Sequence, residues 1–332
     1  MLDHTRHVWN DLRDARVLIT GATGFVGSWL LETLVHANET LELGIHATAL
    51  VRDRAAFIDR FPHLAESPTI RAHVGDVRMV DPPTHAHSHY VHCASAAPPK
   101  VNAERPGEVV DIIERGTERM LEEAESGRGA RFLLVSSGSV YGPQPGSLER
   151  IGESYAGIAD ASDPAQRFGA AKWRAEQRGA VAVSRGVGFV AARVFALVGP
   201  RLPTDGQFAI GNFLGDALGG GPVRITGDGT PVRSWMHAAD LAAWCWTLLA
   251  RAPSGSAWNV GSEEAHSLAD AAQRVAALPV PPVAVTRARE PGTGAAPSRY
   301  VPSVQRARDA FGLDAWIPLN DALLRTWNWL KA

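Results

Sequence analysis

Seven residues near the N-terminus constrain this chain more than any others: Gly21-Ala22-Thr23-Gly24-Phe25-Val26-Gly27. They follow a β-branched run, Arg16-Val17-Leu18-Ile19-Thr20, and precede residues 28–36, where Trp29, Leu30 and Leu34 recur at helical spacing. A strand that turns through three glycines into a helix has a physical purpose. Gly21 permits the tight turn, Gly24 lets the backbone approach a pyrophosphate, and Gly27 lets the helix pack closely on the strand. The helix N-terminus then offers free N–H groups and a partial positive charge to the phosphates. The spacing is GxxGxxG, not the commoner GxGxxG, so the turn by itself also fits a glycine bend with no ligand.

The pattern that follows supports the ligand-binding reading. Residues 48–51, 70–74, 90–94, 131–135 and 188–195 read as strands. Residues 109–125 and 168–183 read as helices, the first with Ile112, Ile113, Met120 and Leu121 on one side. Residues 1–13 read as a short helix or arm, and 136–142 as the loop closing the fifth strand. Strands alternating with helices predict an α/β fold, a Rossmann-type doubly wound parallel sheet. Its carboxyl edge then collects residues 21–27, Arg52, Asp76, residues 94–97 and Ser136-Ser137, and the ligand belongs there. After Pro200, Gly and Pro become dense and short elements mix. This predicts a smaller mixed α/β substrate-binding domain of residues 201–231 and 263–332. Residues 1–200, with a return segment at about 232–262, form the dinucleotide-binding domain.

Composition excludes other classes. With 332 residues, 45% apolar, and a formal net charge of -2, the chain is globular and lacks the basic stripe of a nucleic-acid binder. Residues 1–16 have no apolar stretch of a signal peptide, and the longest apolar run, 241–250, is half a membrane span. A cytoplasmic protein without membrane contact is expected. The two cysteines, Cys93 and Cys245, read as reduced core thiols. His85, His87, His89 and His92 alternate along one extended face, but no acidic or Cys ligand accompanies them, so no metal is expected. Trp235, Trp244 and Trp246 read as core residues.

Several segments resemble, in order, the extended short-chain dehydrogenase/reductase family, in its nucleotide-sugar epimerase and dehydratase branch. They are the 20–27 turn, Gly75-Asp76-Val77, Val91-His92-Cys93-Ala94, Gly116-Thr117, Ser136 to Gly142, Arg193 through Gly199-Pro200, residues 233–240, Asn259-Val260-Gly261 and Tyr300-Val301-Pro302. The resemblance runs from about Arg16 to the C-terminus. It implies cofactor contacts at Gly21, Thr23, Gly24, Phe25, Val26, Gly27, Arg52, Asp76, Val77, Cys93, Ala94, Ser95, Ser136 and Lys172. It implies substrate contacts at Asn212 and Arg233, with Arg193, Arg201 and Arg299 as further charge. Arg233 as a surface residue paired with Asp228 is the plain alternative. The cofactor it implies is NAD(P). Arg52, where many NAD-dependent relatives carry Asp, favours a 2′-phosphate and so NADP, whereas family habit and Asp53 favour NAD. The partner it implies is a nucleotide-activated sugar or similar small molecule. The resemblance also implies a homodimer through the helices at 109–125 and 168–183.

The family's catalytic trio is a Ser or Thr, a Tyr, and a Lys four residues after the Tyr. Ser137 and Lys172 match, but Phe168 stands where the Tyr is usual. Phenylalanine keeps the ring without the hydroxyl, so it has no proton to exchange. Three readings stay open. Another group supplies the proton transfer, with Tyr155 first and Tyr141, Glu153 and His237 behind it. Alternatively the reaction needs no base there, or the domain only binds. Gly138 and Ser139 replace the Asp-Glu pair of the sugar dehydratases, and Ser139 is not the Glu usual in uronic-acid decarboxylating relatives. The expected function is therefore epimerase-type chemistry: transient oxidation to a keto-sugar and return of the hydride. A reductase or dehydrogenase with net cofactor turnover and a catalytically silent binding protein are the alternatives.

Overall fold

Residues 16–20 form β1 (Arg16–Thr20), buried at every position after the first, as a strand covered on both faces must be. The structure is a computed structural model that describes residues 2–81, 87–95, 105–127, 129–206, 208–292 and 297–332. In chain order it continues β2 (His46–Val51), β3 (Ile70–Val74), β4 (His89–His92), β5 (Arg131–Ser137), β6 (Gly188–Val194), β7 (Leu197–Val198), β8 (Val223–Ile225), β9 (Val232–Ser234), β10 (Met236–His237), β11 (Ser256–Val260), β12 (Ala265–Ser267), β13 (Val285–Arg287) and β14 (Arg299–Tyr300). The helices are α1 (Leu2–Trp9), α2 (Phe25–Leu41), α3 (Arg54–Arg60), α4 (Pro62–Glu66), α5 (Pro106–Ser126), α6 (Arg167–Val183), α7 (Ala209–Leu218), α8 (Ala238–Arg251), α9 (Leu268–Ala276), α10 (Gln305–Phe311) and α11 (Leu319–Lys331).

The central sheet has seven strands in the order β11-β6-β5-β4-β1-β2-β3. The pairs β1–β2, β2–β3, β1–β4 and β4–β5 are parallel. This is the doubly wound α/β architecture expected from the alternation. The strand order reverses between β1 and β4, which opens the crevice where such sheets bind ligands.

Two compact units divide the chain. The first comprises residues 1–142, 157–193 and 242–258, and the second 143–156, 194–241 and 259–332. In the first unit Leu18, Tyr90, Ile113, Met120, Phe132 and Ala171 belong to one buried cluster between sheet and helices. Trp244 and Trp246 are fully buried, and the Trp246 indole N–H donates to Thr33 Oγ1. The second unit holds a three-stranded sheet, β12-β9-β14, with β9 antiparallel to β12 and parallel to β14. Its other pairs, β10–β7 and β13–β8, are both parallel.

Several boundaries shift by a few residues from the sequence expectation, and two of the shifts have a plain physical reason. Helix α2 runs on through the polar residues His36, Asn38 and Glu39 to Leu41. The Asn38 side chain donates to Ile45 O and accepts from Ile45 N, so it sutures the helix end to the entry of β2. Strand β5 extends two residues into the expected loop, to Ser137. The Ser136 hydroxyl finds a buried acceptor in Glu176, and Ser137 caps a 3-10 turn over Gly138–Tyr141 through Ser139 N.

Candidate active site

The glycine turn is built to admit backbone and exclude side chains. Gly21 has φ 64°, in the left-handed region. A Cβ there would also sit 2.7 Å from Ala94 N, at the end of β4. A Cβ on Gly27 would overlap the Gly21 carbonyl oxygen. Gly24 is the N-cap of α2, and no side chain caps that helix. Its first-turn N–H groups therefore have no N-cap side-chain acceptor. A closely approaching backbone and an uncapped 17-residue helix at the sheet's reversal point fit a dinucleotide pyrophosphate. Thr20 ties the turn to β4: its hydroxyl accepts from Ala94 N and lies 2.8 Å from His92 Nδ1.

Beside the turn, at the end of β2, Arg52 is exposed and Asp53 is the N-cap of α3, accepting from Ala56 N. The Asp53 carboxylate is thus partly committed to the helix. Arg60, at the end of α3, donates to Thr23 O within the glycine turn at 3.0 Å. Sequence reading overlooked it, because only the docking of α3 brings it to the turn. Asp76 is gripped by Arg78, which also pairs with Asp111. Hydrogen bonds from Arg78 hold the Asp76 carboxyl below the usual range, against a smaller opposing effect of burial. Val77 is buried.

The chemical half of the site is assembled on α6. Lys172 is 1% exposed, and its Nζ donates to Val135 O at 2.7 Å. Burial lowers its pKa to about 8, against the smaller, opposite pull of Cys93 and Glu176. The Phe168 ring, part exposed, lies with its centroid 5.9 Å from Nζ. Ser137 Oγ, two residues beyond Val135, is 2.5 Å from Ser139 Oγ. Cys93 is a free thiol pushed up to about 12 by its enclosure, with Lys172 opposing. Ser95 Oγ donates to Cys93 O. Residues 96 and 97 lie outside the described residues.

Arg193 is not available as surface charge for a ligand. It is buried against Glu176, with Nε 3.1 Å from both carboxylate oxygens and a terminal nitrogen 2.6 Å from Oε2. Its guanidinium lies 4.8 Å from the Tyr141 ring centroid. The pair was legible only as a helical step from Lys172 to Glu176. The partner comes from another strand.

The remaining candidates belong to the second unit. Asn212 braces its own loop, accepting from Gly206 N and donating to Gly206 O. Arg233 is half-buried and donates to Val232 O and Ser298 O, and burial lowers its pKa. Asp228, the expected ion-pair partner, instead accepts from Thr230. Arg299 donates to Glu149 O. Glu153 accepts from Asn259 N, and His237 Nδ1 accepts from Ala239 N. Burial, with Arg325 adding to it, lowers His237 to about 4, so it is neutral near pH 7. Tyr155 is half-buried.

The histidine run does not converge. His87 bonds Thr48 and His89 bonds Ser88, while His92 bonds Thr20. His85 lies outside the described residues. Among the described residues no group of three or more His, Cys, Asp or Glu side chains is placed to hold a metal ion. Nor is any helix among them long and apolar enough to cross a membrane.

Comparison with known proteins agrees with this geometry. The chain is 26% identical over 313 residues to UDP-glucuronic acid decarboxylase 1 of Arabidopsis thaliana, covering 93% of this chain and 68% of that protein. In fold it is similar to an epimerase from Methanothermobacter thermautotrophicus (TM-score 0.81, 22% identity, covering 99% and 96% of the two chains). It is similar also to a tyrosine-to-phenylalanine variant of UDP-glucuronic acid 4-epimerase from Bacillus cereus, in complex with UDP-4-deoxy-4-fluoro-glucuronic acid and NAD (TM-score 0.80, 20% identity, covering 95% and 99%). The model of the NAD dependent epimerase/dehydratase family matches residues 17–261. With that match laid over the glycine turn, the strand reversal and the buried Lys172, the chain belongs to the NAD-dependent epimerase/dehydratase family, within the extended short-chain dehydrogenases.

Proposed function

We propose that this chain is an NAD(P)-dependent nucleotide-sugar epimerase-type enzyme, acting by transient oxidation of a sugar carbon to a ketone and return of the hydride. The observation that carries the reading is the placement of Lys172: wholly buried, bonded to the end of β5, two residues from Ser137, and beside the Phe168 ring. A buried lysine is costly to fold around, and such groups concentrate where chemistry needs them. The bound dinucleotide would accept a hydride from the carbinol carbon and later return it. Gly21, Gly24, Gly27 and the α2 N-terminus would hold its pyrophosphate. Thr23, Phe25, Val26, Val77, Ala94, Ser95 and Ser136 would line its path, and Asp76 would stand near the adenine. Lys172 would donate to the nicotinamide ribose, and Ser137 would donate to the reacting oxygen as negative charge develops there.

The dinucleotide would be NADP in this reading. Arg52 and Arg60 flank the end of β2 and the glycine turn, and Asp53 is engaged by α3. Guanidinium suits a 2′-phosphate. NAD is the competing choice, since the Bacillus cereus relative was seen with NAD. The substrate would be a nucleotide-activated sugar, with Asn212 and Arg233 on its diphosphate. UDP-glucuronic acid, named for the relatives, is the first to test. Tyr155 would supply the proton transfer that Phe168 lacks. Glu153 and His237 already accept backbone N–H bonds, and Tyr141 is buried under Arg193. The dimer would form through α5 and α6.

A decarboxylase reading draws on the Arabidopsis relative, and it shares the first oxidation. The two differ in product. The test is to incubate the protein with UDP-glucuronic acid and either dinucleotide, then separate the sugar nucleotides. An epimer with no net NAD(P)H supports the proposal, a pentose nucleotide with release of carbon dioxide supports decarboxylation, and stoichiometric NAD(P)H marks a dehydrogenase. Native mass spectrometry of the purified protein identifies any retained dinucleotide. Failure to bind either one would overturn the enzyme reading.

A further inference from the structure

Helix α6 meets the end of β5 along one face, through residues three and four apart. Gly169 lets the helix backbone reach the Ser139 carbonyl, where any Cβ would overlap it. Lys172 bonds Val135 O, and Glu176 accepts from Ser136 Oγ at 2.5 Å. The Glu176 side chain is 5% exposed and that of Arg193 9%. Arg193, at the end of β6, lies over Tyr141 at the far end of the serine turn and 5.8 Å from the Trp173 ring centroid. A buried ion pair is a poor way to stabilise a fold, since apolar residues of like volume serve as well or better. Its geometry here does something an apolar pair would not: it fixes a hydroxyl, a turn and a charge around one lysine.

We propose that Glu176, held by Arg193, is a positioning residue for Lys172 and Ser137: its carboxylate anchors the Ser136-Ser137 strand end, and its charge keeps the buried Lys172 protonated. The inference rests on the proposed roles of Lys172 and Ser137, but its test does not require turnover. One helical turn separates the two side chains, and the groups around Lys172 are few. From the end of β4 comes His92, neutral because burial lowers it to about 3 with Lys172 adding to the effect, and from the residue after it the Cys93 thiol, protonated near pH 7. From β5 comes the Val135 carbonyl, and from α6 itself Glu176. Glu176 is therefore the one carboxylate acting on Lys172 among these groups. Arg193 answers it: burial works against the guanidinium, but its bonds to Glu176 raise its pKa overall.

The chain has three lysines, Lys100, Lys172 and Lys331, which makes a direct titration practical. Protein labelled with 13C at the lysine ε-carbon gives three signals, assigned by single substitutions. In the Glu176→Gln variant the Lys172 midpoint should fall from the wild-type value by about half a pH unit or more, with Lys331 unmoved. Glu176→Asp, which keeps the charge, should restore most of it. Should Glu176→Gln fail to fold with Arg193 stranded, the Glu176→Gln/Arg193→Met double variant removes both charges together, and a smaller fall in the same direction is expected, because the cation that opposes the Lys172 charge is lost as well. A folded variant lacking the Glu176 charge whose Lys172 midpoint is unchanged overturns the inference. Binding of NAD+ and NADP+ to the wild type, measured alongside, separates the two claims. Absence of binding with a shifted midpoint sinks the enzyme reading and leaves Glu176 in its role, and the opposite pair of results does the reverse.

Discussion

The two halves of the sheet's carboxyl edge are made in different ways. Around β1 and α2 the site is backbone: Gly21, Gly24 and Gly27 matter for the side chains they lack. Around β5 and α6 it is side chain: Ser136, Glu176 and Arg193 lock together through buried, charge-assisted bonds, and beside them Lys172 bonds Val135 O. The first half tolerates no added atom at Gly21 or Gly27, and its needs are steric and local. The second has one such steric point, at Gly169, but depends mainly on charge and protonation. A binder can be built from the first half alone, whereas chemistry needs the second.

Four experiments press on that contrast, beginning with the greatest effect. Gly27→Ala places a Cβ into the Gly21 carbonyl, which can move only by moving the turn. It should cost about 3 kcal/mol or more of stability and abolish dinucleotide binding, read by thermal melting and calorimetry. Full binding in a folded variant would show that the turn is not the pyrophosphate site. The tyrosine question concerns only the chemical half. Tyr155→Phe should lower turnover of an accepted sugar nucleotide by about 100-fold with dinucleotide affinity unchanged, whereas Phe168→Tyr, which returns a hydroxyl near Lys172 Nζ, should leave turnover nearly flat. A large rise in Phe168→Tyr with no loss in Tyr155→Phe would remove Tyr155 from the proton transfer.

The third experiment concerns pH. Lys172 has its folded-state pKa lowered to about 8, below its unfolded value of about 10.4. Between those values the unfolded chain binds the extra proton, so stability rises with pH, by at most ~1.4 kcal/mol per pH unit for this group. Below pH 8 the lysine is charged in both states and the whole penalty of its burial is felt. Lys172→Met should remove the rise, and urea unfolding of both proteins at pH 7 and pH 9.5 measures it. An equal slope in both would place the lysine in water. The smallest effect belongs to the nucleotide half. Arg52→Ala should weaken NADP+ binding about 10-fold and leave NAD+ nearly unaffected. Equal loss for both dinucleotides would remove Arg52 from the question of specificity.

Much of the fold was legible because its signals are local. A β-branched run before three glycines announces strand, turn and helix within a dozen residues, and the order of strands and helices implies a parallel sheet. The site was legible unevenly. Lys172 and Ser137 stand out by spacing within recognisable segments. Arg60 did not, because nothing in residues 54–60 says that the end of α3 lies over Thr23. Arg193 was expected to face a ligand and is instead spent on Glu176. Asn212 shows the same limit in reverse, since its side chain closes a loop six residues away.

From its sequence alone, this protein was bound to be a doubly wound sheet with a backbone-lined crevice after β1, because glycine spacing and hydrophobic period act over a few residues. It was equally bound to lack a tyrosine hydroxyl at position 168, whatever its fold. Only the tertiary structure decided which charges meet. Ser136, Glu176 and Arg193 come from β5, α6 and β6, separated by 40 and 17 residues. Burial then makes their pairing obligatory, because a carboxylate or guanidinium taken from water must find its partner inside.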